Sequence, residues 1–173
     1  ATAIPNYSLA DATYQGFETG DLRRTNWISP KTLSGKTFYS MTKYKVGSGT
    51  GNEYNVVLRL AEQYLIRAEA RAQLNNLSGA KADLDAVRLR AGLRGIGATL
   101  TQTQTRAAVE KERKVEFFGE WGHRWFDLKR TNRADAVLGA LRPTTWKSTS
   151  VLYPIPDAQR VINTNLTQNL GYN

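Results

Sequence analysis

The sequence predicts a mainly α-helical chain, built on a tetratricopeptide-like helix pair with additional helices and long irregular loops. Three observations carry that prediction. Apolar residues recur at steps of three and four through "NVVLRLAEQYLIRAEARAQL" (55–74). A second stripe of the same period follows after a break of a few residues. A third helical signal, dense in charges and aromatic rings, begins near residue 101. Extended stretches, by contrast, are short.

Residues 1–55 read as a loop-rich segment. Pro5, Pro30, Gly16, Gly20, Gly35 and "GSGTG" at 47–51 punctuate it, leaving short extended pieces such as "TFYSMTKYKV". "VGSGTGN" reads as a flexible connection, since it lacks the Lys-Ser/Thr ending of a phosphate loop. Residues 56–92 read as a helical hairpin. Val57, Leu60, Ala61, Tyr64, Leu65, Ala68 and Ala72 form the apolar stripe of its first helix, and "NNLSGA" breaks it. Ala80, Leu84, Val87 and Leu89 define the second helix, and Gly92 is placed to stop it in the left-handed conformation. So short a turn requires antiparallel packing. Ala61, Tyr64, Ala68, Leu77, Ala80, Leu84 and Val87 also fit the packing positions of one tetratricopeptide-like unit. A single copy leaves apolar faces uncovered, so further helices are expected to dock on it.

"LRGIGATL" is a loop, and Thr101–Gln104 offers a capping box with Thr105 as an alternative start. A third helix is expected from about 105 into "ERKVEFFGEWGHRWFDLKR" (112–130), so that 101–130 form one region. Residues 131–173 read as a helix, loops and an extended tail. There Pro154 and Pro156 fix an extended segment, and "PDAQRVI" starts a short helix after the proline. The whole is expected to be a single domain.

Composition narrows the function classes. The chain has 173 residues, no cysteine and one histidine. Disulfides, thiolate zinc sites and cysteine nucleophiles are therefore excluded, a metal site would rest mainly on carboxylates, and no metal or cofactor is expected. The formal net charge of +9 invites a nucleic-acid reading. The cationic residues nevertheless alternate with acids and form no basic block, which argues against nucleic acid as partner. The first residues lack an initiator Met, a basic n-region and an apolar h-region, and are expected to be those of a mature or excised chain.

The 112–130 stretch raises the enzyme question most directly. On one helix Glu112, Glu116, Glu120 and Arg124 would form a ladder of i,i+4 neighbours. Glu116 and Glu120 would reach the ~5–5.5 Å separation of a retaining glycosidase pair, as any i,i+4 acidic pair does. His123 has no Gly-x-Ser-x-Gly elbow to serve. A structural role is the better reading, and no catalytic residue is expected.

Three segments then carry a resemblance: "LRLAEQYLIRAEARAQLNNLSGAKADLDAVRLRAGL", "ERKVEFFGEWGHRWFDLKR" and "LYPIPDAQRVINTNLTQNLGY", in this order and spacing. Together they strongly resemble hallmarks of the C-terminal part of the SusD/RagB family, with "DLRR" (21–24) and "KYKV" (43–46) as lesser members of the pattern. The resemblance covers essentially all of residues 20–173. It implies a non-catalytic, mostly helical outer-membrane lipoprotein of Gram-negative bacteria. Such a protein captures oligosaccharides or polysaccharides, sometimes peptides, as an extracellular lid on a SusC-like TonB-dependent transporter. The chain lacks the lipid-bearing cysteine and is shorter than family members, so membrane attachment is implied only through the lipid anchor of a longer parent protein. "GEWGHRWFDLKR" departs from the usual "EGHRWFDLKR" by an extra Trp121-Gly122, which is expected to shift the local helix register and mark a kink. Within the family pattern Glu112, Arg113, Glu116, Arg124, Asp127 and Arg130 would pin the third helix to the pair and the following turn. His123 would be structural, and Trp125, Phe126 and Leu128 would fill the core.

Sugar rings stack on aromatic faces while amides and guanidiniums bond their hydroxyls. The ligand-binding candidates outside the regular helices are therefore Trp27, with Arg24 and Asn26 beside it, Tyr39 and Trp146. The alternative to capture is a tetratricopeptide-like protein–protein interaction module or scaffold without its own small-molecule ligand.

Overall fold

A computed structural model describes residues 7–46, 53–54 and 56–172. Most of the expected "VGSGTGN" connection lies outside the described residues. The protein is mainly helical with one small hairpin, and it divides into two compact units, Ala1–Gly119 and Glu120–Asn173. No helix among the described residues is long and apolar enough to cross a membrane.

Unit 1 begins with two short helices, α1 (Asp11–Tyr14) and α2 (Leu22–Trp27), in the segment read as loops and short extended pieces. Asp21 caps α2 by accepting from the Arg23 N–H at 2.9 Å. Strands β1 (Ile28–Leu33) and β2 (Lys36–Met41) pair antiparallel, with Leu33 opposite Lys36. Their two-residue turn, Ser34-Gly35, has positive φ at both positions, the backbone that matches strand twist in a tight hairpin.

The helix pair comprises α3 (Leu60–Gln73) and α4 (Leu77–Arg90). The buried stripe of α3 is Ala61, Leu65, Ala68 and Ala72. The helix starts later than its apolar pattern suggests. Arg59 is extended at the N-cap, so Val57 lies outside the helix and 60% exposed, and Leu60 faces outward. On α4 the buried residues include Ala80, Leu84 and Val87, whereas Leu89 lies off that face, which Ala91 continues instead. Gly92, at φ +77°, ends the helix as expected. Its N–H bonds the Leu89 carbonyl and the Leu93 N–H bonds that of Arg88, both at 3.0 Å, the two bonds of a Schellman motif.

Helix α5 (Gln102–Glu116) starts with the Thr101–Gln104 capping box, ahead of the expected 105. Thr105 is buried within the first turn and donates to the Thr101 carbonyl. Val109 and Phe117 join Leu65, Ala68, Leu84 and Val87 in one apolar cluster, so the third helix closes over the pair. Phe17, Ile28, Val115 and Phe118 form a second cluster beneath the hairpin.

The helix expected to run into the 112–130 motif ends inside it, and the backbone leaves the helix around the extra Trp121-Gly122. α5 stops at Glu116, and Gly119, Trp121 and Gly122 all have positive φ. In unit 1, Gly119 answers a close approach: a Cβ there would sit 2.2 Å from the Met41 sulfur. Glu116 and Glu120 are thus not neighbours on one helix face.

Unit 2 contains α6 (His123–Arg130), α7 (Ala134–Leu141), a 3-10 turn at Ser148–Val151 and α8 (Asp157–Ile162). The helix after Pro156 is where the sequence places it. The expected core filling by α6 is met by Leu128, which is buried. Phe126 is 61% exposed and Trp125 only half-buried. α6 opens at Gly122 after the helix break, which turns Phe126 to the open side while Asp127 and Leu128 face in.

Candidate functional site

Charge chemistry in unit 1 concentrates at the C-terminal half of α5. Glu112 and Glu116 are one turn apart, and both are buried. Between them lies Arg23 of α2, itself buried. One of its nitrogens donates to Glu112 at 2.6 Å and to Glu116 at 2.9 Å, while Nε and Nη2 grip Asp21 at 2.9 and 2.8 Å. Glu116 also accepts from Arg59, ahead of α3, and from Arg90 of α4 at 2.6 Å. Its carbonyl takes the Lys43 ammonium at 2.7 Å. Glu112 accepts from Arg88 at 3.2 Å, and Arg88 in turn chelates Glu18 with two 2.9 Å bonds.

The electrostatics follow from these contacts. Burial works against the Arg23 cation, but the bonds to Asp21 and the charges of Glu112 and Glu116 outweigh it and raise its pKa. The Arg88 hydrogen bond, helped by Lys111 and opposed by burial, holds the Glu18 carboxyl at about 2. A carboxylate held by several guanidiniums joins α2, α4, α5 and the approach to α3 at one point. A smaller version ties α3 to α4. There buried Asp83 accepts from Arg67 at 3.0 and 2.7 Å and from Arg71 at 2.7 Å.

The other residues of the 112–130 motif are spread over both units. Arg113 is buried, with its guanidinium 5.3 Å from the Phe117 ring centroid. On α6, Asp127 is buried and accepts from Arg130 at 3.0 and 2.8 Å. His123, Arg124 and Trp125 are half-buried.

Of the ligand candidates, Trp27, Tyr39 and Arg24 gather around the hairpin cluster. Trp27 packs on Phe118 at 6.3 Å, with the Lys43 ammonium 4.5 Å from its ring. Tyr39 stacks on Tyr14 at 3.7 Å and 13°, and Arg24 lies 4.2 Å from the Tyr14 ring. Trp27 and Tyr39 are half-buried, while the Asn26 side chain is exposed and its carbonyl accepts from Lys45. Trp146 belongs to unit 2. Its indole N–H donates to Asp135 at 2.8 Å, and its ring meets Trp125 edge-on at 6.4 Å.

Sequence reasoning did not name Tyr14, Lys43 or Tyr153 as ligand candidates. Tyr14 sits in a segment with no periodic signal, and Tyr153 hides in a proline-flanked stretch.

The comparisons with known proteins agree with this architecture. The SusD family model matches residues 10–172. The chain belongs to the SusD family. A SusD superfamily protein from Bacteroides vulgatus is 28% identical, with a TM-score of 0.66, covering 89% of this chain and 36% of that one. Surface glycan-binding protein A from Bacteroides uniformis is also 28% identical, with a TM-score of 0.65, covering 91% of this chain and 39% of that one. A SusD superfamily protein from Bacteroides fragilis shares the fold at 22% identity, with a TM-score of 0.72, over 96% of this chain and 41% of that one. The chain thus spans well under half the length of these SusD relatives. No curated protein matches it. Its hallmark acids, Glu112 and Glu116, lie in the buried ion network, and "DLRR" supplies the arginine between them.

Proposed function

We propose that this protein captures a nutrient, most simply a glycan, and delivers it without covalent chemistry. The observation that carries the reading is family membership over residues 10–172, joined to the similarity with a surface glycan-binding protein. The tying of Glu112 and Glu116 to guanidiniums supports a role for them in holding the helices together rather than in acid–base catalysis. By family inference the protein works at the extracellular face of the outer membrane. There it would act with a SusC-like TonB-dependent transporter, held by the lipid anchor of a longer parent. Contacts with ligand are assigned to Trp27, Arg24, Asn26, Tyr39 and Trp146, whose rings and polar groups have the chemistry that sugars need.

A glycan-array screen, followed by isothermal titration of any hit at two salt concentrations, tests this. Saturable binding indifferent to salt is expected, because a neutral sugar releases no counterions. A second reading, a protein-interaction module, is favoured by one feature: a groove on α3 lined by Leu60, Gln63, Tyr64, Ile66 and Arg67. Peptide binding with silence across the glycan array would choose it instead.

A further inference from the structure

The two limbs of the chain between β2 and α3 are held in two different ways. Residues 43–46 leave the hairpin, and residues 56–59, with Glu53 just before them, lead into α3. At their base both limbs are anchored on the same two residues. The Lys43 ammonium donates to the Glu116 carbonyl at 2.7 Å and lies 4.5 Å from the Trp27 ring centroid. From the other limb, Arg59 donates to that carbonyl at 3.3 Å and also to the Glu116 carboxylate. Its guanidinium lies 5.9 Å from the Trp27 centroid.

This base resists opening. The Glu116 carbonyl belongs to the last turn of α5, where carbonyls lack helical partners and cations are favoured. The Glu116 side chain is fully buried, so withdrawing a cation leaves its charge less compensated out of water.

Further out, bonds run from limb to limb. One Glu53 oxygen accepts the consecutive N–H groups of Lys45 and Val46, both at 2.6 Å. The Tyr44 hydroxyl accepts the Val56 N–H at 3.1 Å. The Lys45 ammonium reaches sideways to the Asn26 carbonyl at 2.5 Å. These outer bonds lie in solvent. There a bond broken within the protein is exchanged for one to water, and the net loss is small.

We propose that the limbs form a two-tier neck that opens locally, the Glu53 clasp on Lys45 and Val46 releasing while Lys43 and Arg59 stay seated on Glu116. Proteins open in this sub-global way from the elements with the fewest buried contacts. The limbs can then part without disturbing the helices that Glu116 joins. Trp27 belongs to the tier that stays shut, so its ring keeps its place as the clasp opens.

The test is amide hydrogen exchange of the full chain followed by NMR, with urea unfolding alongside. In the wild type, the Lys45 and Val46 amides are expected to be protected roughly a hundredfold less than that of Leu65 in the core of α3. Glu53→Ala, at an exposed position, is expected to speed exchange at Lys45 and Val46 about tenfold and to leave the urea midpoint unchanged. Tyr44→Phe removes the acceptor of the Val56 N–H and should speed exchange there severalfold, again at an unchanged midpoint. Lys43→Ala, at the base, should lower the midpoint. Unchanged exchange at Lys45 and Val46 in Glu53→Ala overturns the clasp. Wild-type amides there as protected as Leu65, or a Glu53→Ala midpoint as low as that of Lys43→Ala, would mean one cooperative unit and overturn local opening. An unchanged midpoint in Lys43→Ala overturns the division into two tiers.

Discussion

Glu112 and Glu116 in unit 1 lie buried under arginines drawn from α2, α4 and the approach to α3, whereas Asp135 in unit 2 lies in the open beside an indole. Within the 112–130 motif, Phe117 and Phe118 are sealed into the two clusters of unit 1, while Phe126 on α6 of unit 2 is 61% exposed. The acids at the end of α5 therefore hold helices together, and α6 leaves an aromatic ring in solvent. Charged residues crowded around a motif do not by themselves mark a reactive site; burial and partner count decide. Four substitutions and one titration test that contrast.

Glu116→Ala should have the largest effect, because it takes one of three carboxylates from the buried Arg23 and deprives Arg59 and Arg90 of an anion. A loss of about 3–5 kcal/mol is expected in urea unfolding of the chain. Gly119→Ala comes next. The added Cβ would collide with the Met41 sulfur in a left-handed backbone, costing about 2 kcal/mol and lowering the urea midpoint.

Glu18 offers a pH test of the same network. Its carboxyl is lowered from 4.5 to about 2, mainly by the Arg88 hydrogen bond. A depressed carboxyl binds fewer protons folded than unfolded, so its stabilisation is complete above about 4.5 and is lost as pH falls toward about 2. With its side chain 35% exposed, solvent screening reduces the contribution to about 1 kcal/mol. Wild type should exceed Glu18→Gln by that amount at pH 7, and the gap should close through this acid window when unfolding is followed by circular dichroism.

Thr101→Ala removes the capping box of α5 and should cost about 1 kcal/mol. Phe126→Ser in unit 2 should be the mildest, within about 0.5 kcal/mol by thermal unfolding, because the ring is mostly in solvent already. A large loss there would erase the contrast between the units.

Local signals made much of the fold legible. The three–four periodicity of α3 and α4, the Gly92 stop and the Thr101–Gln104 box are each readable within a few residues. What escaped depends on distant partners. Nothing around Arg23 announces that it is buried, since beyond Asp21 its acids lie 89 and 93 residues along the chain. The i,i+4 pattern of Glu112, Glu116, Glu120 and Arg124 continues in the letters through the break at 117–122, where backbone dihedrals end the helix. Val57 and Leu89 satisfied apolar spacing but fell outside the buried faces, because a stripe does not say where a helix starts or how wide its covered side is. Among the ligand candidates, Trp27 and Tyr39 were visible as rings. Their packing around one hairpin cluster was not, for it required the β1–β2 register.

The central claim is that this chain binds sugar and leaves it intact. The most direct measurement is isothermal titration with the glycan found by array screening, followed by mass analysis of the recovered oligosaccharide. The account predicts saturable, salt-indifferent heat and a ligand of unchanged length. Shortened products, with turnover abolished by Glu116→Gln while binding persists, would contradict it and return the buried acids to catalysis.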